Sequence, residues 1–459
     1  MSVKQILTTA LLVGTSFCAS AQVSTDTTHI LTLDSCLTLA RQNNKDLQRA
    51  NLDIDKAQQV KNQAFTKYFP QIKATAIGYH SLHPMMEVGI EDIDNASVRD
   101  LLTTLYGNYG AALGLDNTIS LFQYGYQVGV TALQPVYVGG KIVTGNQLAK
   151  VGVQAAELQT QISERDILEE VEESYWLVVG LVDKQKTLQS VISLLDTIHR
   201  TVQSAVDAGL ALKTDLLQVE LRQSEMQRTQ IQLNNGLALA QRALSQSIGV
   251  RVSDTTILQL IDNDSIMPIL SNSSSGNSPE SELLSLQVRA AELQRRMTIA
   301  DALPQVAVGA HYGYSNLQAS FLRDGLGNKT GNGAVFVSVS VPLTDWWEKG
   351  HKIKEGTIAL QQARLQQSQM DEMLTLRTQQ AYDKMQEAYL LVNENRHAVD
   401  IAQENYRLSG VNYRAGMGTI TDLLTAQTSL LQAQNNLTDA LIAYRVNLRR
   451  YSDLTNTKL

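Results

Sequence analysis

Two aspartates, Asp215 and Asp422, lie in similar ten-residue stretches of the sequence. Asp215 lies in AGLALKTDLL (208–217), and Asp422 lies in AGMGTITDLL (415–424), 207 positions further on. In each stretch a glycine precedes the acid by six residues, which is typical of one helix ending and another beginning. An acidic side chain in the first turn of a helix interacts favourably with the helix dipole. The chemistry that these two residues could do is therefore electrostatic.

Histidines are the other residues that could do chemistry, as metal ligands. His80 and His83 are close in sequence, but no cysteine and only scattered acids are near them, and the remaining histidines show no ligand spacing. The sequence also has no nucleophile elbow, no phosphate-binding loop and no paired catalytic motif. We therefore expect no catalytic residue, no bound cofactor and no metal site.

The two aspartates belong to a repeat that covers most of the chain. At the same offset of 207, Pro135 corresponds to Pro342 and Tyr175 corresponds to Tyr382. Self-similarity at a fixed spacing indicates that a whole structural unit has been duplicated. Each copy is predicted to have the order helix, strand, strand, long helix, turn, helix.

The upstream part of the repeat has a different offset. FPQIKATAIGYH (69–80) matches LPQVAVGAHYGY (303–314) at 234, so the first copy has 27 extra residues (234 − 207) in a loop-like stretch at 82–118. We predict that this acidic loop lies outside the cell. The predicted divisions of the chain are a signal peptide at 1–21, a first repeat at 22–249, a linker at 250–280 and a second repeat at 281–459.

The N-terminus resembles a secretory signal, with Lys4 before an apolar segment and Ala19-Ser20-Ala21 at the expected cleavage site. Cleavage would leave Cys36 as a single cysteine, which cannot form an intrachain disulfide. The formal net charge of −7 gives no reason to expect nucleic acid as a partner. Few aromatic residues and many Gln, Leu and Ala are typical of long helices.

Heptad spacing predicts long helices that pack along a seam. The helix predicted from Lys141 to Ala208 would be about 100 Å long at about 1.5 Å per residue. The residues of the first seam are Leu188, Val191, Leu195, Ile198, Val202 and Ala205, and those of the second seam are Leu430, Ala433, Leu437, Leu441, Tyr444, Leu448 and Tyr451. Near the N-terminus, a separate single helix is predicted from Asp34 to Pro70.

Alternating residues predict four strands, at about 71–81, 119–134, 305–315 and 333–341. Each is about as long as a tilted strand that crosses a bilayer. Four strands cannot close a barrel, and open sheet edges are not tolerated in hydrocarbon, so a membrane barrel would have to be shared between chains. Two chains would supply eight strands and three would supply twelve. The Gln, Gly and Ser faces are typical of a lumen.

The duplicated unit, the proline-ended hairpins and the repeated AG…DLL turn resemble the TolC family of bacterial outer membrane efflux proteins. AGMGTITDLLTAQTSLLQAQNNL (415–437) carries the resemblance most strongly. The resemblance implies a mainly α fold with membrane β-strands: a homotrimer whose twelve-stranded barrel, four strands per chain, lies in the outer membrane of a Gram-negative bacterium. A long α-helical coiled-coil tunnel would continue it into the periplasm.

The resemblance also implies a function and partners. Such proteins are exit ducts without catalysis, which dock through a periplasmic adaptor (membrane fusion) protein to an inner membrane pump. The pump normally selects the cargo, so drug, metal and protein export all stay open, including a type I protein secretion system. A membrane-anchored coiled-coil surface adhesin and a secreted enzyme or binding protein with a helical scaffold are the alternatives from other classes.

Within the family, the residues Asp215, Tyr413 and Asp422 match positions of the periplasmic gate. The alternative for each aspartate is a helix-start residue only. The family's second acid, three residues after the position of Asp422, is replaced by Thr425, and an Arg of some relatives is replaced by Gly418. Thr425 argues against a strongly cation-sensitive gate, and Gly418 predicts a mouth that is held less tightly. The predicted adaptor-docking tips are Ala208, Gly209, Leu210 and Ala211, and Ala415, Gly416, Met417 and Gly418.

Overall fold

The computed structural model describes residues 30–80, 82–83, 86–113, 118–252, 257–258, 278–320, 328–343 and 347–455. The predicted signal peptide and most of the predicted linker lie outside the described residues. The helices and strands, in chain order, are β1 (Ile30–Leu31), α1 (Leu33–Asn43), α2 (Lys45–Thr66), β2 (Gln71–His80), β3 (Met86–Gly89), α3 (Ala96–Leu113), β4 (Thr118–Val138), α4 (Lys141–Asp207), α5 (Lys213–Ile248), β5 (Ile257–Leu258), α6 (Pro279–Ala300), β6 (Gln305–Ser320), β7 (Asn328–Ser340), α7 (Glu348–Arg414) and α8 (Ile420–Thr455).

The duplication is visible in the lengths of the helices. α4 and α7 each have 67 residues, α5 and α8 each have 36, and α2 and α6 each have 22. Equal lengths keep the two copies in the same register, as the constant offset in the sequence requires. The predicted long helix from Lys141 is confirmed.

The chain divides into two compact units. Of the described residues, the hairpin unit takes those within Met1–Ala40, Val171–Ser265 and Ala402–Thr438, and the sheet unit takes those within Arg41–Glu170, Ile266–Ile401 and Asp439–Leu459. Each unit therefore combines segments of both copies of the repeat.

The sheet unit contains an antiparallel sheet with the strand order β2-β4-β6-β7, and the short β3 pairs with β4 beyond the end of β2. The two copies of the repeat meet where β4 pairs with β6. The four predicted strands are confirmed, although three of them extend further than predicted. Within the residues that the structure describes, the outer edges of β2 and β7 are not paired with another strand.

The hairpin unit has its core between α4, α5 and α8. The first predicted seam is confirmed, because its members from Leu188 to Val202 are buried against residues of the other two helices. The buried cluster consists of Leu188, Val191, Leu195, Ile198, Val202, Leu216, Val219, Met226, Ile420, Leu423 and Leu424. None of the described helices is both long and apolar enough to cross a membrane.

Two local predictions are wrong. The single helix predicted from Asp34 is interrupted at Asn44, whose side chain accepts hydrogen bonds from the backbone N–H groups of Asp46 (2.9 Å) and Leu47 (3.2 Å) and so begins α2. Thr32, not Asp34, caps α1, because its hydroxyl accepts from the N–H of Ser35 at 3.2 Å. Both changes follow from short polar side chains that compete for backbone groups.

The stretch predicted to be a loop at 82–118 contains the 18-residue helix α3. The side chain of Asn95 caps it by accepting from the N–H groups of Ser97 (3.1 Å) and Val98 (3.3 Å). That this stretch lies outside the cell stays a prediction.

Candidate functional site

The first tip lies between α4 and α5. Gly209 has a left-handed φ of 73°, which glycine adopts without steric cost. The N–H of Gly209 donates to the carbonyl of Val206 (2.9 Å), and the N–H of Leu210 donates to the carbonyl of Ala205 (2.8 Å). This is a Schellman motif, which satisfies the last carbonyls of α4 and reverses the chain.

The second tip, between α7 and α8, repeats that geometry 207 residues later. Gly416 has a φ of 72°. Its N–H donates to the carbonyl of Tyr413 (3.1 Å), and the N–H of Met417 donates to the carbonyl of Asn412 (2.9 Å). The two similar stretches of sequence therefore form the same turn, with the same pattern of backbone hydrogen bonds.

Each predicted gate aspartate caps the helix that returns from its tip. One Asp215 carboxylate oxygen accepts from the N–H of Leu212 at 3.3 Å. Asp422 accepts from the N–H of Thr419 (3.0 Å) and from its hydroxyl (2.7 Å), and the same hydroxyl accepts from the N–H of Asp422 (3.2 Å). The hydrogen bonds from the hydroxyl and the N–H of Thr419 hold the pKa of Asp422 below its usual value.

Tyr413 lies next to one of these aspartates. Its side chain is half-buried against the cluster between α4, α5 and α8. Burial raises the pKa of Tyr413, and the negative charge of Asp215 raises it further. The structure thus brings Asp215 and Tyr413 together, whereas Asp422 is exposed and contacts Thr419 in its own turn.

The tips present apolar side chains to solvent. Leu210 is 84% exposed and Met417, at the equivalent position, is 75% exposed. Among the described residues, and apart from the glycine and its two chain neighbours, no atom lies within 4 Å of where a Cβ would stand on Gly209 or Gly416, so both turns are open. At Gly418 a Cβ would lie 3.3 Å from the Cβ of Asn412, so a larger residue there would have to displace it.

Sequence reasoning missed the polar contacts between the two hairpins. The hydroxyl of Thr421 donates to the side-chain oxygen of Gln218 (2.9 Å), and the guanidinium of Arg222 donates to the hydroxyl of Thr428 (2.7 Å). Their separations of 203 and 206 residues are close to the repeat offset. That offset is the signal that could have suggested pairing between equivalent helices.

Among the residues that the structure describes, no group of three His, Cys, Asp or Glu side chains is close enough together to hold a metal ion.

A four-stranded sheet and two long helical hairpins per chain define a TolC-like outer membrane channel. The sequence matches the outer membrane efflux protein family over residues 36–250 and 270–456. The chain therefore belongs to this family, and it is an outer membrane efflux channel with a helical periplasmic part. Members of the family are channels, are generally trimeric and work with adaptors and inner membrane pumps. The alternatives of a type I protein secretion component and a membrane-anchored surface adhesin are not favoured.

Solved structures share the fold at low sequence identity. The outer membrane channel CmeC of Campylobacter jejuni is 14% identical, with a TM-score of 0.74 over 92% of this chain and 85% of that chain. VceC of Vibrio cholerae is 16% identical, with a TM-score of 0.68 over 92% and 96% of the two chains. The open state of MtrE of Neisseria gonorrhoeae is 16% identical, with a TM-score of 0.67 over 92% and 88%. No curated protein sequence matches the chain.

Proposed function

We propose that three copies of this chain form one exit duct, which passes substrates from a periplasmic adaptor and an inner membrane pump to the exterior without catalysis. The observation that carries the proposal is the sheet β2-β4-β6-β7, whose outer edges are unpaired within the described residues. Backbone groups at such edges cannot remain unpaired in hydrocarbon. Further chains must therefore complete the sheet.

One face of this sheet is suited to lipid. Val335 and Val337 of β7 are 80% and 65% exposed, and the register places them beside Ala310 and Val308 of β6. Tyr312 of β6 shares this face. Apolar residues facing outward with aromatic residues nearby are the pattern of a transmembrane barrel.

The number of copies follows from the space that a duct needs. Two chains would supply eight strands, and the interior of an eight-stranded barrel is filled by its own side chains. Three chains supply twelve, which leaves a lumen. The opposite face of the sheet, with Gly129, Gly313 and Ser315, carries the small and polar residues that a water-filled lumen requires.

The tip region is proposed as the periplasmic gate, with Asp215, Tyr413 and Asp422 gathered around the mouth by threefold symmetry. The electrostatic interaction between Asp215 and Tyr413 supports this, because it links the return helix of one hairpin to the outgoing helix of the other. With Thr425 and Gly418 in place of the family's acid and Arg, we expect a mouth that is held by few charged contacts.

The two turns are proposed to dock the adaptor through the residues listed above as the tips. The exposed side chains of Leu210 and Met417 support this, since they offer apolar area at equivalent places in both hairpins. Small residues beside them allow a partner backbone to approach closely. The residues at 208–211 and 415–418 would then act as six similar contact points in a trimer.

The test replaces a small residue by a bulky one at each tip. Ala208→Trp and Ala415→Trp should leave the trimer and membrane insertion intact, because both positions are exposed and lie outside the buried cluster. They should abolish export and crosslinking to the adaptor. Ala208→Ser and Ala415→Ser are the matched controls, in which the residue stays small, and should export normally. Normal crosslinking and transport in both Trp variants would contradict docking at the tips.

A further inference from the structure

Three polar side chains form a row across the strands of the sheet. Lys73 of β2 pairs with Thr131 of β4, and Thr131 pairs with His311 of β6. Directly paired residues lie on the same face of a sheet. The Thr131 hydroxyl and Nδ1 of His311 are 2.9 Å apart, which fixes both side chains on that face.

The backbone around His311 is shaped to hold its ring against the sheet. A Cβ on Gly129 would lie 2.7 Å from Cε1 of the imidazole, and a Cβ on Gly313 would lie 2.7 Å from Nε2. With a larger residue at either position, the ring would have to move from where it lies. The next residue along the row, Ala334 of β7, is also small, so the row projects little bulk apart from Lys73.

The row lies on the face opposite the exposed valines. Side chains alternate along each strand, and Ala74 and Ile72, which flank Lys73, share the register of Val130 and Ala132 on the apolar face. The strand residues 71–80, 125–138, 305–315 and 331–340 contain no Asp or Glu. The charge of Lys73 is therefore not balanced by an acid of the strands themselves.

We propose that this row lines the lumen of the barrel and gives the outer part of the duct a preference for anionic solutes. The proposal rests on the trimeric barrel proposed above, which would place three copies of Lys73 and three of His311 at one level. Lys73 supplies the charge, and the imidazole of His311 supplies a polar group beside it.

The dimensions allow this charge to act across the lumen. Twelve strands about 4.8 Å apart and tilted by about 40° close a barrel about 24 Å in diameter. A lysine side chain extends about 6 Å from the wall, so its ammonium group stands about 6 Å from the axis. The Debye length is about 8 Å at physiological ionic strength, so passing ions are not fully screened from the three ammonium groups.

The experiment uses a cysteine reporter in the row of the full-length protein. Intact cells that carry the Ala334→Cys variant are treated with an anionic or a cationic methanethiosulfonate. The rate at which each reagent modifies the cysteine is divided by the rate at which the same reagent modifies a free thiol in solution. The native Cys36 is buried, so it contributes little background. Thr75→Cys, two residues from Lys73 on the same face, is the second reporter if Ala334→Cys lowers the amount of trimer.

We expect the anionic reagent to react at least about threefold faster than the cationic one, the size that three partly screened charges in a watery lumen would give. Lys73→Gln should remove this preference and Lys73→Glu should reverse it. Lys56→Gln, which removes an exposed lysine from α2 of the same unit, should leave it unchanged.

A rate ratio that Lys73→Gln does not change would overturn the inference, as would reporters that no reagent reaches. The mass of the complex in the same membranes separates this result from a failure of the proposed function. If a trimer is present and Lys73→Gln leaves the ratio of the two reagent rates unchanged, only the anion preference is contradicted. If no trimer is present, the shared barrel itself is contradicted.

Discussion

Gln427 of α8 is a buried amide whose replacement should stabilise the hairpin unit. Its side chain is 2% exposed, and within the part of the chain that the structure describes neither its amide nitrogen nor its amide oxygen has a hydrogen-bond partner. A buried polar group without a partner costs about 1–3 kcal/mol. Leucine has a similar volume and no polar atoms, so Gln427→Leu should raise the local free energy of unfolding by about 1–3 kcal/mol.

Hydrogen exchange of backbone amides measures this locally, without requiring reversible unfolding of a membrane protein. Since about 1.4 kcal/mol corresponds to a factor of ten, exchange in the first turns of α8 should slow by about 5- to 150-fold. Gln432→Leu is the matched control, because Gln432 is exposed and donates to Asn436 at 2.7 Å. Its effect should stay within about 0.5 kcal/mol. Faster exchange in Gln427→Leu would refute the reasoning, since it would mean that the amide has a partner in the assembled protein.

Three further predictions concern buried groups. Leu195→Ala should destabilise the hairpin unit by about 2–5 kcal/mol in the same exchange measurement, whereas Leu217→Ala, at a residue that is 52% exposed, should cost much less. Burial raises the pKa of Cys36 to about 12, so a thiol reagent at pH 8 should label it only after denaturation. Burial by itself raises the pKa of Glu280, but the hydrogen bond and charge of Arg165, 2.6 Å away, outweigh it and hold the pKa below its usual value. The resulting stability is present above the usual carboxylate range and is lost as the pH falls through the lowered pKa, so Glu280→Gln should unfold more easily than the wild type at pH 7, and this difference should shrink as the pH is lowered.

Features encoded by local spacing could be predicted from the sequence. The seam residues from Leu188 to Val202 have heptad spacing, and this spacing predicts which side of α4 is buried. The turns at Gly209 and Gly416 could be located because a left-handed residue is needed wherever a helix reverses in this way. The strands were evident from alternation, although their ends were not.

Features that depend on pairing between distant segments could not be predicted. The row from Lys73 to His311 needs the register of β2 on β4 and of β4 on β6, and the last pairing joins residues from different copies of the repeat. The contact of Arg222 with Thr428 likewise depends on how two helices pack. The break at Asn44 was missed for the opposite reason, because one capping side chain overrides a helical pattern that continues on both sides of it.

The mass of the complex extracted from outer membrane tests the central claim most directly, namely that three chains share one barrel. Native mass measurement of the detergent-solubilised protein, with no crosslinker, should give about three times the mass of the mature chain. Heat treatment that separates the chains should abolish this species and channel activity together. A stable, membrane-inserted monomer, or an active dimer, would contradict the account.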